Sequence, residues 1–220
     1  MASPTGPRAP QITRTVHPAD LTPTAGEDLL DGDQREGERY ERIALDGRDL
    51  EHTTFTGCAF QRVSLHRTRL RGAHFADVTL TDLEAAELVA PRSSWRSVEV
   101  ASCRLGAVEL YESQWRSVTV SGSKISYLNA RSATWQDVIF RDCTFDELDL
   151  GSATVARLTF DRCRVLSLDV SHAKLADVDL RGAELHAVKG LGGLAGTWVS
   201  EYQLTELAPL LAAHLKITVG

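Results

Sequence analysis

The chain has 220 residues and a formal net charge of −6, with 30 Asp and Glu against 24 Lys and Arg. This length fits a single domain, and the lack of a basic surplus argues against direct binding of nucleic acid. No apolar stretch is long enough to span a membrane, so we expect no membrane contact.

The N-terminal part of the chain differs in composition from the rest. Residues 1–40 are rich in Pro, Gly, Asp and Glu and show no apolar period. They lack the apolar run after a basic start that marks a targeting signal. A segment of this composition buries too little apolar surface to offset its chain entropy, so we expect a disordered tail over residues 1–40.

A period of five residues governs the next part of the chain. Every fifth residue from Leu45 to Leu185 is apolar, which gives 29 consecutive positions. A helix repeats about every 3.6 residues and a strand about every 2, so neither explains this pattern. The residue two places before each apolar position carries no charge after Arg48. Each quintet therefore reads as a short strand with two inward residues, followed by a corner.

A longer period of 20 residues indicates how many sides each coil has. The surroundings of three Trp recur as SSWRSV, SQWRSV and ATWQDV. Four quintets therefore make one coil, and residue n stacks on residue n+20. The predicted core ladder of stacked aromatic rings consists of Phe55, Phe75, Trp95, Trp115 and Trp135. Residues 41–190 then form about seven coils of a parallel β-helix.

Two stretches carry a family resemblance: ADVDLRGAEL at 176–185 and FRDCTFDELDL at 140–150. They resemble the A(D/N)LXX consensus of pentapeptide repeat proteins, and the resemblance covers roughly residues 43–188. It implies an all-β solenoid, a right-handed quadrilateral parallel β-helix. The best-understood members of that family protect type II DNA topoisomerases from drugs or toxins, as acidic rods that imitate duplex DNA. The resemblance therefore implies DNA gyrase as one candidate partner and antibiotic resistance as one candidate role.

The five-residue period ends after Val188, and a Gly-rich linker precedes a predicted helix. Ser200 and Gln203 have the spacing of a capping box, and Pro209 predicts a kink in the helix that follows. We expect residues 191–220 to form a linker and an α-helical cap, because an open end of stacked strands invites aggregation.

Two interpretations of this helix stay open. In one, it covers only its own last coil. In the other, it joins two copies in a twofold homodimer, as the resemblance to quinolone-resistance members implies, with a short strand at 217–219. The predicted dimer interface consists of Leu204, Leu207, Leu211, Leu215, Ile217 and Val219.

The four cysteines share one place in the repeat. Cys58, Cys103, Cys143 and Cys163 all lie two residues before an apolar position, where side chains point inward. No CxxC or His–Cys spacing indicates a metal site. We therefore expect packed free thiols and a cytoplasmic location.

The sequence shows no pattern that indicates catalysis. The His residues within the repeats fall at outward or corner positions on different coils or sides, and no nucleophile–base pair, P-loop or dinucleotide motif is present. We therefore expect no catalytic residues, no cofactor and no metal.

The charges of residues 41–190 favour a scaffold role over protection of a topoisomerase. Residues 41–190 carry 19 Lys and Arg against 21 Asp and Glu, and sorting them by side gives no acidic stripe. A DNA mimic needs concentrated negative potential along one face. The leading interpretation is therefore a non-enzymatic interaction or scaffold protein of unknown partner, and protection of a topoisomerase is the alternative. The densest acidic cluster, interpreted as a solvated coil edge, contains Asp142, Asp146, Glu147 and Asp149.

Overall fold

The structure, a computed structural model, describes residues 6–15 and 21–218. This part of the chain forms short parallel strands, one 3-10 helix at Leu191–Leu194 and one α-helix, α1, at Glu201–His214. The strands are β1 (Thr22–Thr24), β2 (Gln34–Glu36), β3 (Glu38–Glu41), β4 (Thr54–Thr56), β5 (Ala59–Gln61), β6 (Thr68–Arg69), β7 (His74–Thr81), β8 (Glu84–Val89), β9 (Ser94–Ala101), β10 (Arg104–Glu109), β11 (Gln114–Ser121), β12 (Lys124–Asn129), β13 (Thr134–Arg141), β14 (Thr144–Asp149), β15 (Thr154–Asp161), β16 (Cys163–Asp169), β17 (Lys174–Asp179), β18 (Ala183–Lys189) and β19 (Thr197–Trp198).

The predicted parallel β-helix is confirmed. From β2 to β16, each strand pairs in parallel with the strand 20 residues further on, as β9 does with β11 and β11 with β13. One sheet contains the odd-numbered strands from β1 to β19 together with β2 and β4, and the other contains the even-numbered strands from β6 to β18. The eight-residue strands of the first sheet turn a corner in the middle, at residues with positive φ such as Ser117 (φ 59°). One such strand therefore covers two sides of the coil.

The aromatic ladder lies at the centre of the core. The ring centroids of Phe55 and Phe75 are 5.4 Å apart, those of Phe75 and Trp95 4.3 Å, and those of Trp115 and Trp135 4.5 Å. Trp95 and Trp115 are tilted and 5.7 Å apart. These rings fit because the inward neighbour two residues earlier is small, so the packing density of the interior is kept.

The ladder is stabilised mainly by packing. The indole N–H of Trp95 donates to the Ser93 hydroxyl at 2.7 Å. Among the described residues, the buried indole N–H groups of Trp115 and Trp135 have no acceptor. A buried donor without a partner costs free energy, so stacking and burial must offset that cost.

The solenoid is longer than the sequence pattern predicts. It has about nine turns, and the expected seven was too few. The expected boundary at residue 40 also differs from the structure, because β1 pairs with β3 and β2 pairs with β4. Leu29 and Tyr40 are buried, and Leu30, on the five-residue period, is 65% exposed. The first turn therefore keeps Tyr40 on the register of five and leaves that register at Leu29, which is buried in place of Leu30.

A polar cluster closes this N-terminal end. Arg35 pairs in register with Phe55, at the end of the aromatic ladder, and its guanidinium binds Asp28 at 3.0 Å and Asp33 at 2.7 Å. Arg48 reaches the same region and donates to the carbonyl groups of Glu27 and Leu29. These arginines bind the groups of the first turn, which explains how charged residues occur at inward positions there.

The C-terminal end is closed by α1. Ser200 and Gln203 form the predicted capping box, and the Gln203 amide also donates to the carbonyl groups of Leu180 and Ala183, both at 2.7 Å. Leu207 is buried against the coil, and the helix continues through Pro209. No helix in the described chain is both long enough and apolar enough to cross a lipid bilayer.

The end of α1 differs from the expected strand at 217–219. Lys216 has a φ of 58°, its N–H bonds to Ala213, and the Ile217 N–H bonds to Ala212. This pattern is a Schellman motif, which terminates the helix by satisfying its last carbonyl groups. Ile217 is therefore part of a helix C-cap and not of a strand, and Val219 lies outside the described residues.

The four cysteines are free and buried. Burial raises the pKa of the Cys103 thiol to about 11. A thiol in this environment stays protonated and is a poor nucleophile at neutral pH.

Replacement of Trp115 by Ala should lower the free energy of unfolding by about 3–5 kcal/mol, because a cavity opens between two other rings of the ladder. Chemical denaturation measures the loss. The control is Arg116→Ala, which changes an exposed residue on the same strand and should stay within about 0.5 kcal/mol of the parent. Equal losses for the two variants would contradict the ladder.

A colorimetric thiol reagent should label none of the four cysteines without denaturant, because all four point into the core. Thr134→Cys places a thiol at an exposed position of β13 and provides the matched control. That variant should react with one equivalent of reagent at once. Rapid reaction of the parent protein would contradict the inward placement.

Candidate interaction surfaces

The outward charges pair with each other from one coil to the next. Arg92 binds Glu112 at 2.6 Å, Arg141 binds Asp161 at 3.0 Å, and all these partners are 20 residues apart. The same spacing joins Asp142 to Arg162 at 2.7 Å, and this guanidinium holds the pKa of Asp142 below its ordinary value. Many outward charges are therefore stacked in opposite pairs, whereas Arg96 stacks with Arg116 and Arg104 with Lys124.

The predicted acidic cluster is largely neutralised by the same arrangement. Besides Asp142, Glu147 lies 3.4 Å from the Lys189 ammonium. Asp149 lies 3.2 Å from Arg131 and accepts the Gly151 N–H. Three of the four carboxylates thus have a cation or an N–H donor as partner, so the cluster presents little net negative charge.

The N-terminal segment lies along one corner of the solenoid. We call residues 6–15 the strap. The Arg8 N–H donates to Asp177 at 3.1 Å, and the Arg8 guanidinium binds the same carboxylate at 2.6 and 2.7 Å. The Gln11 N–H donates to Asp137 at 2.8 Å, and the Thr13 N–H to the Ser117 hydroxyl at 2.7 Å. The strap therefore crosses several coils, running from the C-terminal end toward the N-terminal end.

Three turn residues at the corner under the strap are buried, unlike the turn residues compared with them at two other corners. We call this column, Asp77, Ser97, Ser117, Asp137, Arg157 and Asp177, the corner column. Ser97 and Ser117 are 6% exposed and Asp137 is 4% exposed. The equivalent turn residues Ser102 and Ser132, at other corners, are exposed. Among the corners compared, polar turn residues are therefore covered only at the corner under the strap.

The strap also affects the carboxyl groups that it contacts. The Arg157 guanidinium, 2.6 Å from Asp137, is the main reason why the pKa of Asp137 is lowered, and the Gln11 N–H acts in the same direction. The pKa of Asp177 is lowered first by the Arg8 guanidinium and then by the Arg8 N–H. Both carboxylates are therefore stabilised in their charged form.

The exposed apolar side chains of α1 are the second distinctive feature of the surface. The side chains of Tyr202, Leu204 and Leu215 are 74%, 52% and 65% exposed. Ile217 is 57% exposed, and Leu211 is half-buried. Of the six residues predicted for a dimer interface, Leu207 is instead buried against the last coils of its own chain. Leu204, Leu211, Leu215 and Ile217 remain accessible on the surface.

A cleft of about 800 Å³ separates α1 from the last coils. Its wall contains Arg162, Arg181 and Glu184, but Arg162 binds Asp142 and Asp161, and Arg181 binds Asp179. The cations of this cleft are thus engaged with neighbouring carboxylates. Within residues 6–15 and 21–218, no group of three or more His, Cys, Asp and Glu is placed to hold a metal ion.

Comparison with known proteins gives one family match. Residues 44–84 match the family model described as pentapeptide repeats, in eight copies. No curated protein matches the chain.

Among solved structures, the chain is similar to two trypsin-treated variants of QnrB1, a plasmid-mediated fluoroquinolone resistance protein. The first shares 16% identity over 91% of this chain and 99% of that chain, with a TM-score of 0.41. The second shares 20% identity over 90% and 94%, with a TM-score of 0.32. HetL, a pentapeptide repeat protein involved in heterocyst differentiation regulation from the cyanobacterium Nostoc sp. strain PCC 7120, shares 12% identity over 80% and 93%, with a TM-score of 0.29. Likeness at this level carries no argument about a partner or a role.

Docking of the strap should weaken in acid. Asp177 has a lowered pKa when Arg8 is bound, so its contribution is complete above the ordinary carboxyl pKa of about 3.9 and is lost as pH falls through the lowered value. We expect the amide proton resonance of Arg8 to stay at a hydrogen-bonded position from about pH 7 down to about pH 4 and to move toward its free-peptide position only below that. Nuclear magnetic resonance measures this titration.

The matched control is Asp177→Asn, which removes the ion pair and keeps the shape of the side chain. Its Arg8 resonance should lack the acid transition. A parent protein whose Arg8 amide already has the free-peptide shift at neutral pH would contradict the docked strap.

Proposed function

Because the chain belongs to the pentapeptide repeat family, we propose that it is a non-enzymatic interaction protein that presents its outer surface to a macromolecular partner. One observation carries this proposal: inward side chains fill the core, and many outward charges pair with a neighbour one coil away. Side chains held in such pairs provide a rigid surface with a repeat of about 4.8 Å. The thiols, buried and free, support a cytoplasmic location for this role.

We further propose that two copies associate through α1. Leu204 and Leu215 lie on the same side of α1 and present apolar surface at the end of the solenoid, and Leu207 and Gln203 hold the helix against the last coils. A helix fixed by its own coil offers a preformed surface, and a twofold contact would cover the same residues on both copies. About nine turns at about 4.8 Å make a rod of about 43 Å, which a dimer of this kind would double.

Leu204→Glu should give a monomer, because a charge would be buried at the proposed contact without a partner. Sedimentation at tens of micromolar measures the assembly state, with the parent expected to be dimeric. Leu30→Glu is the matched control, since Leu30 is 65% exposed in the first turn, at the opposite end of the solenoid from α1. A monomeric parent would contradict the dimer, as would a dimeric Leu204→Glu variant.

Protection of a type II topoisomerase is the second candidate. The length of the doubled rod favours it, since a long unbranched rod is the shape that imitation of duplex DNA requires. The stacked ion pairs oppose it, because a DNA mimic needs negative potential that is not cancelled by neighbouring arginines. We therefore keep the interaction role with another partner as the main proposal.

A supercoiling assay with DNA gyrase and a fluoroquinolone separates the two candidates. We expect the full-length protein, titrated to a large molar excess, to leave both supercoiling and drug inhibition unchanged. Restoration of supercoiling in the presence of the drug would overturn the main proposal in favour of topoisomerase protection. The double variant Arg92→Glu and Arg141→Glu, which makes the coils more acidic, provides a matched test of whether charge limits such an effect.

A further inference from the structure

The corner column offers hydrogen-bond acceptors at a spacing that an extended peptide can follow. Asp137 and Asp177 are two coils apart, about 9.6 Å, and the Arg8 and Gln11 amides that bind them are three extended residues apart, about 10 Å. Ser117 is one coil further on and takes the Thr13 N–H. Three acceptors thus match three donors of one extended segment.

The strap is held by its main chain and one guanidinium. The side chains of Gln11, Thr13 and Arg14 are exposed, so the corner column does not select them. Pro7 and Pro10 carry no N–H and favour an extended backbone, and the bonded amides belong to the residues between and after them. The hydrogen bonds of the corner column therefore require an extended backbone with an arginine, and the half-buried side chains of Pro7, Pro10 and Ile12 add apolar packing.

The coil does not depend on the strap for its own hydrogen bonds. In the corner column, Ser117 and Asp137 lie in strands that pair in parallel with each other and with the strands beyond them. Within residues 6–15 and 21–218, the hydrogen bonds of the strap go to side chains of this column. Its removal would leave the strand ladders intact and expose polar acceptors ready for another segment.

We propose that the corner column from Ser117 to Asp177 is a docking groove for an extended, arginine-bearing segment of a partner protein, and that the strap occupies this groove until the partner displaces it. This inference rests on the proposed interaction role and adds the place and the chemistry of the contact. The Asp177 carboxylate, which the Arg8 guanidinium binds, favours a cationic segment and repels an acidic one, whereas the Asp137 charge is already paired with Arg157. A helix cannot bind here, because its amides are used within the helix.

The test uses the full chain with the strap released. The double variant Gln11→Pro and Thr13→Pro removes two of the three main-chain donors without touching the coil. Ile12→Pro is the matched control, since within the described residues the Ile12 N–H donates no hydrogen bond. The probe is a fluorescent synthetic peptide with the sequence of residues 6–15, followed by anisotropy.

We expect the double variant to bind this peptide at least tenfold more tightly than the parent and the Ile12→Pro control. In those two proteins, the tethered strap competes at an effective concentration in the millimolar range. A peptide with Arg8→Glu should lose the binding to the double variant, because it places a carboxylate against Asp177. Equal affinity of the parent and the double variant for the probe would overturn the groove, and so would equal affinity of the two peptides for the double variant.

Sedimentation of the same proteins identifies the occupant. If the double variant and the parent form a mixed dimer that the probe dissociates, the strap of a second copy is the occupant, and a partner protein is not. The gyrase assay and the Leu204→Glu comparison do not involve the strap. A negative peptide test would therefore contradict the docking groove and not the proposed interaction role. A negative result in the gyrase assay or the Leu204→Glu comparison would not affect the docking groove.

Discussion

The rest of the structure depends on one constraint: each inward side chain must pack against the side chains one coil before and one coil after it. Because residue n lies over residue n+20, a large ring at one position affects three coils at once. The Trp of the ladder are accommodated by small inward neighbours such as Ser93 and Ser113, which are fully buried. This compensation within each coil lets the strand ladders keep their register along the whole rod.

The same register governs the outer surface. Side chains at the same outward position of successive coils are about 4.8 Å apart, so like charges in a column repel and opposite charges attract. The pairs Arg92–Glu112 and Asp137–Arg157 show the second case. An interaction surface built in this way is rigid and close to neutral. Two features that depart from this repeat are the corner under the strap and the exposed apolar side chains of α1, and both proposed contacts lie there.

The sequence predicts those parts of the fold that depend on inward side chains. The coil, the inward thiols and the capping box at Ser200 each follow from residue types at a fixed spacing. The first turn could not be predicted in this way, because Leu29 replaces Leu30 inside and Arg35 occupies an inward position with its charge satisfied by Asp33. Polar partners that are distant from the five-residue pattern keep that turn in place.

The strap is the part of the candidate site that the sequence does not reveal. It binds through main-chain N–H groups, which nearly every residue has, so its contacts leave no pattern of side chains to read. Its acceptors, Asp137 and Ser117, occur at a turn position where exposed Asp and Ser are common in this chain. Only the fold shows that this column of turn residues is covered.

Residue-resolved hydrogen exchange over the whole chain tests the central claim, a solenoid that begins near residue 21 with the strap docked along it. We expect the slowest exchange in the middle coils, around Trp115, with protection that extends back to the paired amides of Thr22 and Arg42. The amides of Gln11 and Thr13 should exchange more slowly than that of Ile12. Protection that starts only after residue 43, with strap amides exchanging at the rate of a free peptide, would contradict the account.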